Sequence, residues 1–415
     1  MTLPLSLYVH LPWCVRKCPY CDFNSHTAGA AVDKQRYVAA LIDDLGREAA
    51  RAGDRVVETV FLGGGTPSLF SSGEIGNLLD AAARCLNLSE GAEITMEANP
   101  GTVERDRLAG YRAAGINRLS LGAQSFNNGS LKSLGRIHGA DEIENALHDA
   151  KEAGFDSINV DLMYALPGQS PGMAMEDLER AIEFSPQHIS WYQLTLEPNT
   201  VFHAEPPVGL PDEEIIAAIE EQGYELLAAT GFRRYETSAF ATAGHRCRHN
   251  LNYWQFGDYL AAGAGAHGKL TDDSGFVRRY RKPAHPLSYM KAIESGLLDD
   301  CMQKLSPPDI AFEYMLNALR LTDGFSRTGF CECTGLPWSS VATGVARAVS
   351  LGLLSTGAYR TGGGGTFRPT ERGRRFLNDL QGLFLPAATK PEGTAAGRNG
   401  AQATRRAAVE ANRCD

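Results

Sequence analysis

A chain of 415 residues with 43% hydrophobic and 21% charged residues has enough apolar content for a large and a small folded domain, which excludes a disordered chain, a collagen and a disulfide miniprotein. Its 40 Lys and Arg stand against 49 Asp and Glu, and a net charge of −9 removes any whole-molecule attraction to phosphate backbones, so nucleic acid is not an expected partner. The start MTLPLSLYVHLPWC lacks a secretory leader's basic region and cleavage site, and no apolar run of about 18 residues spans a membrane; the nine cysteines are therefore expected reduced, in a cytoplasmic protein with no transmembrane segment.

In chain order, short β-rich runs over 5–11, 57–62, 93–97, 118–122, 157–164 and 188–194 end in turn residues. Helix-period stretches over 33–51, 73–86, 141–153, 173–184 and 212–230 lie between or after them. Repeated strand–helix units predict a parallel sheet with right-handed crossovers, an α/β fold of the partial (β/α) barrel type occupying 1–231. Beyond Gly231 the sequence turns Gly- and aromatic-rich, then basic in RRYRKPAHP, and predicts a connecting lobe over 232–304. Residues 305–384 predict a small winged-helix-like α+β module, beginning with the amphipathic helix of SPPDIAFEYMLNALRL. From Ser306 to Leu380 it has eight Arg and six acidic residues, too balanced for a DNA reader even with Arg372, Arg374 and Arg375 together. Residues 385–415 are Ala-, Gly- and Arg-rich without large apolar side chains and predict a disordered tail.

Cys14, Cys18 and Cys21, spaced C-V-R-K-C-P-Y-C, directly follow the first strand. Thiolates are ligands for zinc and for iron–sulfur clusters, and three within eight residues can converge on one object. Structural zinc requires a fourth ligand, for which His10 and His26 are the neighbours; a [4Fe–4S] cluster on three thiolates instead leaves one iron open. Spacing alone leaves both possible, as well as three merely buried thiols. Polar motifs collect at the ends of the later strands: GGGTPS at Gly63 to Ser68, Glu97 before Asn99, Gln124 with Arg136 nearby, and Asp161. In a parallel barrel these ends surround one mouth.

YVHLPWCVRKCPYCDFNSH, FLGGGTPS, TMEANPG, RLSLGAQSF, LGRIH and NVDLMYALPGQ resemble the radical S-adenosylmethionine family that contains the anaerobic, oxygen-independent coproporphyrinogen III oxidases and the heme chaperones of the HemW subfamily. The resemblance runs from about Leu5 to Leu380. It implies a [4Fe–4S] cluster on Cys14, Cys18 and Cys21, with S-adenosylmethionine chelating the fourth iron. It also implies that Tyr8 precedes the cluster loop, that Gly64, Gly65 and Thr66 line the methionine end, and that Glu97, Gln124, Arg136 and Asp161 meet the remaining polar groups of the cofactor.

Three features favour the heme-chaperone branch over the oxidase. The oxidase has a fourth cysteine where Phe23 stands; it carries an extension ahead of a cluster strand that here lies at the start of the sequence; and His249 to Trp254 read HNLNYW, similar to the chaperones' HNxxYW signature. His249, Tyr253 and Trp254 are thus the expected heme-binding residues, since imidazole ligates heme iron and aromatic faces pack on the macrocycle. The basic run through Arg278, Arg279, Arg281 and Lys282 either meets the propionates or is a solvated loop. The expected function is to hold cluster and S-adenosylmethionine, bind heme and pass it to an acceptor, a respiratory heme protein being the candidate; a cluster-dependent homodimer is a further expectation. The alternative is an oxidase that decarboxylates porphyrinogen propionates through a 5′-deoxyadenosyl radical.

Overall fold

A computed structural model describes residues 3–29, 32–103, 105–272, 274–357 and 365–386. Its first strands alternate between two faces, as the pleat demands, apart from local register shifts. Six of them succeed one another: β1 (Leu5–Leu11), β2 (Val56–Gly64), β3 (Asn87–Ala98), β4 (Arg118–Gln124), β5 (Ser157–Tyr164) and β6 (His188–Gln193). Each pairs in parallel with the next. Such pairing needs long crossovers, and helices supply them: α1 (Lys34–Ala52), α2 (Ser72–Cys85), α3 (Arg105–Ala113), α4 (Ala140–Glu152) and α5 (Pro171–Glu183), with α6 (Glu213–Ala229) after β6. Asp33, Ser71, Ser170 and Asp212 cap helix N-termini through their side chains, so these polar residues mark where the helices start.

One face of the sheet is apolar. Leu5, Leu7, Val9, Leu11, Val60, Leu62, Met96, Leu121, Val160 and Leu162 form a single core with Leu41, Leu45, Leu78, Leu147 and Leu178 of the helices. The other face is polar. Register aligns Ser6 with Thr59, Tyr8 with Phe61, Glu97 with Ser120, Ser120 with Asn159, Asn159 with His188 and Asp161 with Ser190, so these side chains form rows on the inner surface.

Residues 232–304, expected as a separate lobe, instead extend the same sheet. β7 (Arg233–Arg234) and β8 (Ala239–Ala241) add antiparallel to β6. Helix α7 (Arg248–Trp254) then leads into β9 (Asp258–Ala262), which pairs in parallel with β1, and β10 (His267–Thr271), β11 (Val277–Arg281) and β12 (Gln303–Lys304) follow antiparallel. The order is β12-β11-β10-β9-β1-β2-β3-β4-β5-β6-β8-β7, an open sheet whose end strands do not meet. Small residues hid the central strand: Ala261 and Ala262 are fully buried and carry no β-branched signal. The basic run is a strand as well, since Val277 and Tyr280 are buried and Lys282 lies in the interior on Asp44 (2.7 Å) and Glu48 (2.8 Å) of α1. Lys282 is therefore not available to a propionate. Helix α8 (Pro286–Glu294) also packs on α1.

One compact unit runs to Lys304 and a second begins at Leu305. The second contains α9 (Pro307–Ala318), α10 (Arg327–Thr334) and α11 (Ser339–Ser350) with an antiparallel sheet in the order β13 (Phe325–Ser326), β15 (Thr366–Pro369), β14 (Leu354–Gly357). Tyr314, Phe325 and Phe330 meet edge to face in its interior. Most of the expected tail, 387–415, lies outside the described residues. No helix among the described residues is long and apolar enough to cross a membrane.

Candidate functional site

At the C-terminal ends of the parallel strands lies a cavity of about 370 Å³. Its wall includes Cys14, Cys18, Cys21, Gly64, Gly65, Thr66, Glu97, Gln124, Arg136 and Asp161, ten of the residues expected there from sequence. Tyr8 lies one step below. Its hydroxyl donates to His10 Nδ1 (2.9 Å), because His10 Nε2 already donates to the Asn24 carbonyl (2.9 Å). Burial pushes His10 down to about 4, so it is a neutral prop for the loop and both its nitrogens are engaged.

The cysteine loop is anchored at its root. Trp13 pairs with His26 and Cys14 with Thr27, while Asn24 Nδ2 donates to the carbonyls of Ala264 (3.0 Å) and Ala284 (2.8 Å). The glycines of GGGTPS act here in a way the sequence did not reveal. A Cβ on Gly64, whose φ is +110°, would stand 2.2 Å from His10 Cε1, and one on Gly65 would stand 2.7 to 2.8 Å from the backbone of residues 11–13. Gly65 donates to Leu11 O (2.9 Å) and Thr66 to Trp13 O (2.8 Å). The close approach is thus first to the chain's own cysteine loop.

Burial pushes the Cys14 and Cys21 thiols up, offset in part by hydrogen bonds that include Ser25. Arg136 Nη1 donates to Cys18 Sγ (3.6 Å) while Nη2 donates to Gly122 O (2.8 Å), so one guanidinium ties the loop to β4. Among the described residues, no three His, Cys, Asp or Glu side chains gather tightly enough for a single ion. Three thiols facing one cavity nevertheless fit a [4Fe–4S] cubane, in which each binds a different iron and the cluster's charge keeps buried thiols deprotonated.

Two carboxylates face the same space. Glu97 Oε2 accepts the Gly64 N–H (2.9 Å), and burial, with Asp161 adding, pushes its carboxyl up to about 7. Asp161 accepts from Ser120 (3.0 Å), Asn159 (2.8 Å) and Tyr192 (3.0 Å). Burial raises it and these donors oppose the rise. Gln124 takes φ +72° where the register between β4 and β5 shifts. Carboxylates for an ammonium and for ribose hydroxyls, with a guanidinium for a carboxylate, form a donor and acceptor set that suits S-adenosylmethionine.

The HNLNYW segment lies elsewhere. His249 is 1% exposed. Its Nδ1 bonds to Thr59 Oγ1 (2.8 Å), its Nε2 to the Tyr253 hydroxyl (2.8 Å), and its ring stacks on Phe61 at 5.0 Å. Burial, with Arg118 nearby, pushes it down to about 3. His249, Tyr253 and Trp254 do not line the cavity, and the imidazole has both nitrogens engaged. Helix α7 turns this histidine toward β1 and β2, which a motif read without its packing does not reveal.

Residues 8–183 match the Radical SAM superfamily. "Heme chaperone HemW" of Escherichia coli strain K12 is 47% identical over 382 residues, and that of Haemophilus influenzae 46% over 386, each alignment covering 92% of this chain and 98% of the relative. The chain belongs to the HemW family. Bovine "Radical S-adenosyl methionine domain-containing protein 1, mitochondrial" is 38% identical over 294 residues, 69% of this chain and 66% of that protein. Among solved structures, coproporphyrinogen III oxidase (HemN) of E. coli superposes with a TM-score of 0.77 over 92% of this chain and 90% of its own, at 23% identity, which shows a shared fold.

Several inner-face residues of this HemW-family chain escaped the motif-based reading: Ser120, Asn159, His188, Ser190 and Tyr192, with Tyr235 behind them. Their signal was available. The strands that carry them, Arg118–Gln124, Ser157–Tyr164 and His188–Gln193, read largely apolar at one parity and polar at the other, which marks a polar lumen beneath a polar mouth.

Proposed function

We propose that this HemW-family chain takes up heme and delivers it to an acceptor protein, on a scaffold that holds a [4Fe–4S] cluster with S-adenosylmethionine. What carries this is the near full-length similarity to relatives named heme chaperones. Phe23, 59% exposed at the cavity wall where the oxidase branch has a cysteine, agrees with it. Cys14, Cys18 and Cys21 would hold the cluster, which supplies single-electron chemistry when bound. Glu97 would accept the cofactor's ammonium, Arg136 would donate to its carboxylate and Asp161 would accept from its ribose, with Gln124, Gly64, Gly65 and Thr66 shaping the pocket and Tyr8 supporting the loop through His10.

His249, with Tyr253 and Trp254, is the heme-binding segment of the proposal. Ligation through Nε2 requires release of the Tyr253 hydroxyl. Tyr253→Phe, which frees that nitrogen, is then expected to tighten hemin binding, and an unchanged hemin titration would assign His249 to the packing of α7 alone. The acceptor is proposed to be a respiratory heme protein, met in the cytoplasm, and cluster loading is proposed to bring two copies together.

The deciding experiment uses anaerobically reconstituted protein with hemin and, separately, with coproporphyrinogen III. A shifted Soret band without porphyrinogen conversion is expected. Turnover of the porphyrinogen would replace the carrier by the oxidase, and protein that takes up zinc but no iron or sulfide would remove the cluster.

A further inference from the structure

Behind the cavity wall a buried chain of hydrogen bonds leads away from Asp161. Its direction follows from the groups. Asp161 accepts at Oδ1 from Asn159 at 2.8 Å, so the amide nitrogen faces the carboxylate and the amide oxygen faces the opposite way. That oxygen accepts from Ser190 (3.0 Å) and from His188 Nδ1 (2.5 Å). An amide oxygen cannot donate, so the proton is on His188 Nδ1, and Nε2 accepts from the Tyr235 hydroxyl (2.8 Å). The Tyr235 oxygen in turn accepts the backbone N–H of Cys247 (3.2 Å), the N-cap residue immediately before α7. His188 is 1% exposed, and burial with Arg118 nearby holds it neutral.

From this geometry we infer that His188 is a positioning residue for the cofactor cavity: held by Tyr235, it fixes the Asn159 amide so that Asp161 is held turned toward the ribose of the bound cofactor. The inference rests on the proposed binding of S-adenosylmethionine. It also gives the start of the HNLNYW helix a part in the cofactor site, because Cys247 anchors the far end of the chain. Without His188, Asn159 Oδ1 keeps only the Ser190 hydroxyl (3.0 Å), while Nδ2 stays between Asp161 (2.8 Å) and Ser120 (2.7 Å), so the amide is held by one strong bond fewer. Asp161 would then face a less firmly oriented donor, and the ribose a less firmly oriented acceptor.

The test measures equilibrium binding of S-adenosylmethionine, and separately of L-methionine, to anaerobically reconstituted full-length protein, with iron and sulfide content as the control. His188→Leu is expected to weaken S-adenosylmethionine binding roughly tenfold, the loss of one charge-assisted hydrogen bond, while methionine binding and cluster content stay as in the wild type. His188→Asn, which restores a donor near Nδ1, is expected to recover most of that loss. Tyr235→Phe, a milder change that serves if the leucine variant does not fold, is expected to weaken the same ligand severalfold. Unchanged S-adenosylmethionine affinity in folded His188→Leu or Tyr235→Phe overturns the inference alone, as does an equal loss of methionine. A wild-type protein that carries its cluster yet binds no S-adenosylmethionine overturns the underlying proposal as well.

Discussion

Glu97 shows how one carboxyl can make cofactor binding depend on pH. Its folded value of about 7 is above the ordinary 4.5, so the folded protein binds the extra proton and stability from this group falls as pH rises from 4.5 through 7. A cofactor ammonium beside it favours the ionised form, so binding expels that proton. S-adenosylmethionine affinity is therefore expected to weaken by up to about tenfold per unit as pH drops below 7, and Glu97→Gln to flatten the profile, as binding titrations across this range would show. Gly64 gives a second check. Gly64→Ala combines a left-handed backbone with a 2.2 Å clash against the His10 ring, and is expected to cost about 1–3 kcal/mol or more and to lower cluster content, read by thermal melting and iron analysis. At this scale the sequence exposed the cysteines because three thiols lie within eight residues, whereas Glu97 and Asp161 stood out only by their places at strand ends and by the family resemblance. The purpose of Gly64 was hidden, since its neighbour His10 comes from a strand 54 residues earlier.

Among the elements, α1 and the residue that follows β11 are joined by charge in the interior. Lys282 lies on Asp44 and Glu48, with the Tyr280 and Tyr289 hydroxyls donating to the same carboxylates. Lys282→Ala leaves buried Asp44 without its cation and Glu48 with Arg51 alone, and removing one partner of a buried ion pair costs roughly 3–5 kcal/mol. Chemical denaturation is expected to show a loss of this order, and a loss below about 1 kcal/mol would mean that water or a rearranged Arg51 replaces the lysine. Most strands and helices were legible to within a few residues, as Leu5–Leu11 and Ser157–Tyr164 show, but Asn87–Ala98 starts six residues before the expected run and the short, weakly apolar helix Arg105–Ala113 was not expected. The segment after Gly231 was not, because a basic run whose lysine is buried on two carboxylates some 240 residues away has the composition of a solvated loop.

For the molecule as a whole, the cysteine cavity and the HNLNYW helix occupy the mouth and the interior of one sheet, not two lobes. Cys18→Ser is expected to abolish the cluster while hemin uptake largely survives, read by visible spectra of the anaerobic protein with and without hemin. Loss of both together would show that the cluster organises the heme face. The α/β class was legible because periodicity is a local property; the polar lumen became evident once register placed Asn159 beside His188.

The sheet stops at both sides on strands two residues long, Gln303–Lys304 and Arg233–Arg234. Cationic, truncated borders of this kind offer a stray β-segment almost no backbone to zip onto, so the fold carries its own guard against lateral polymerisation. A second copy docking along this sheet would then meet it mainly through side chains.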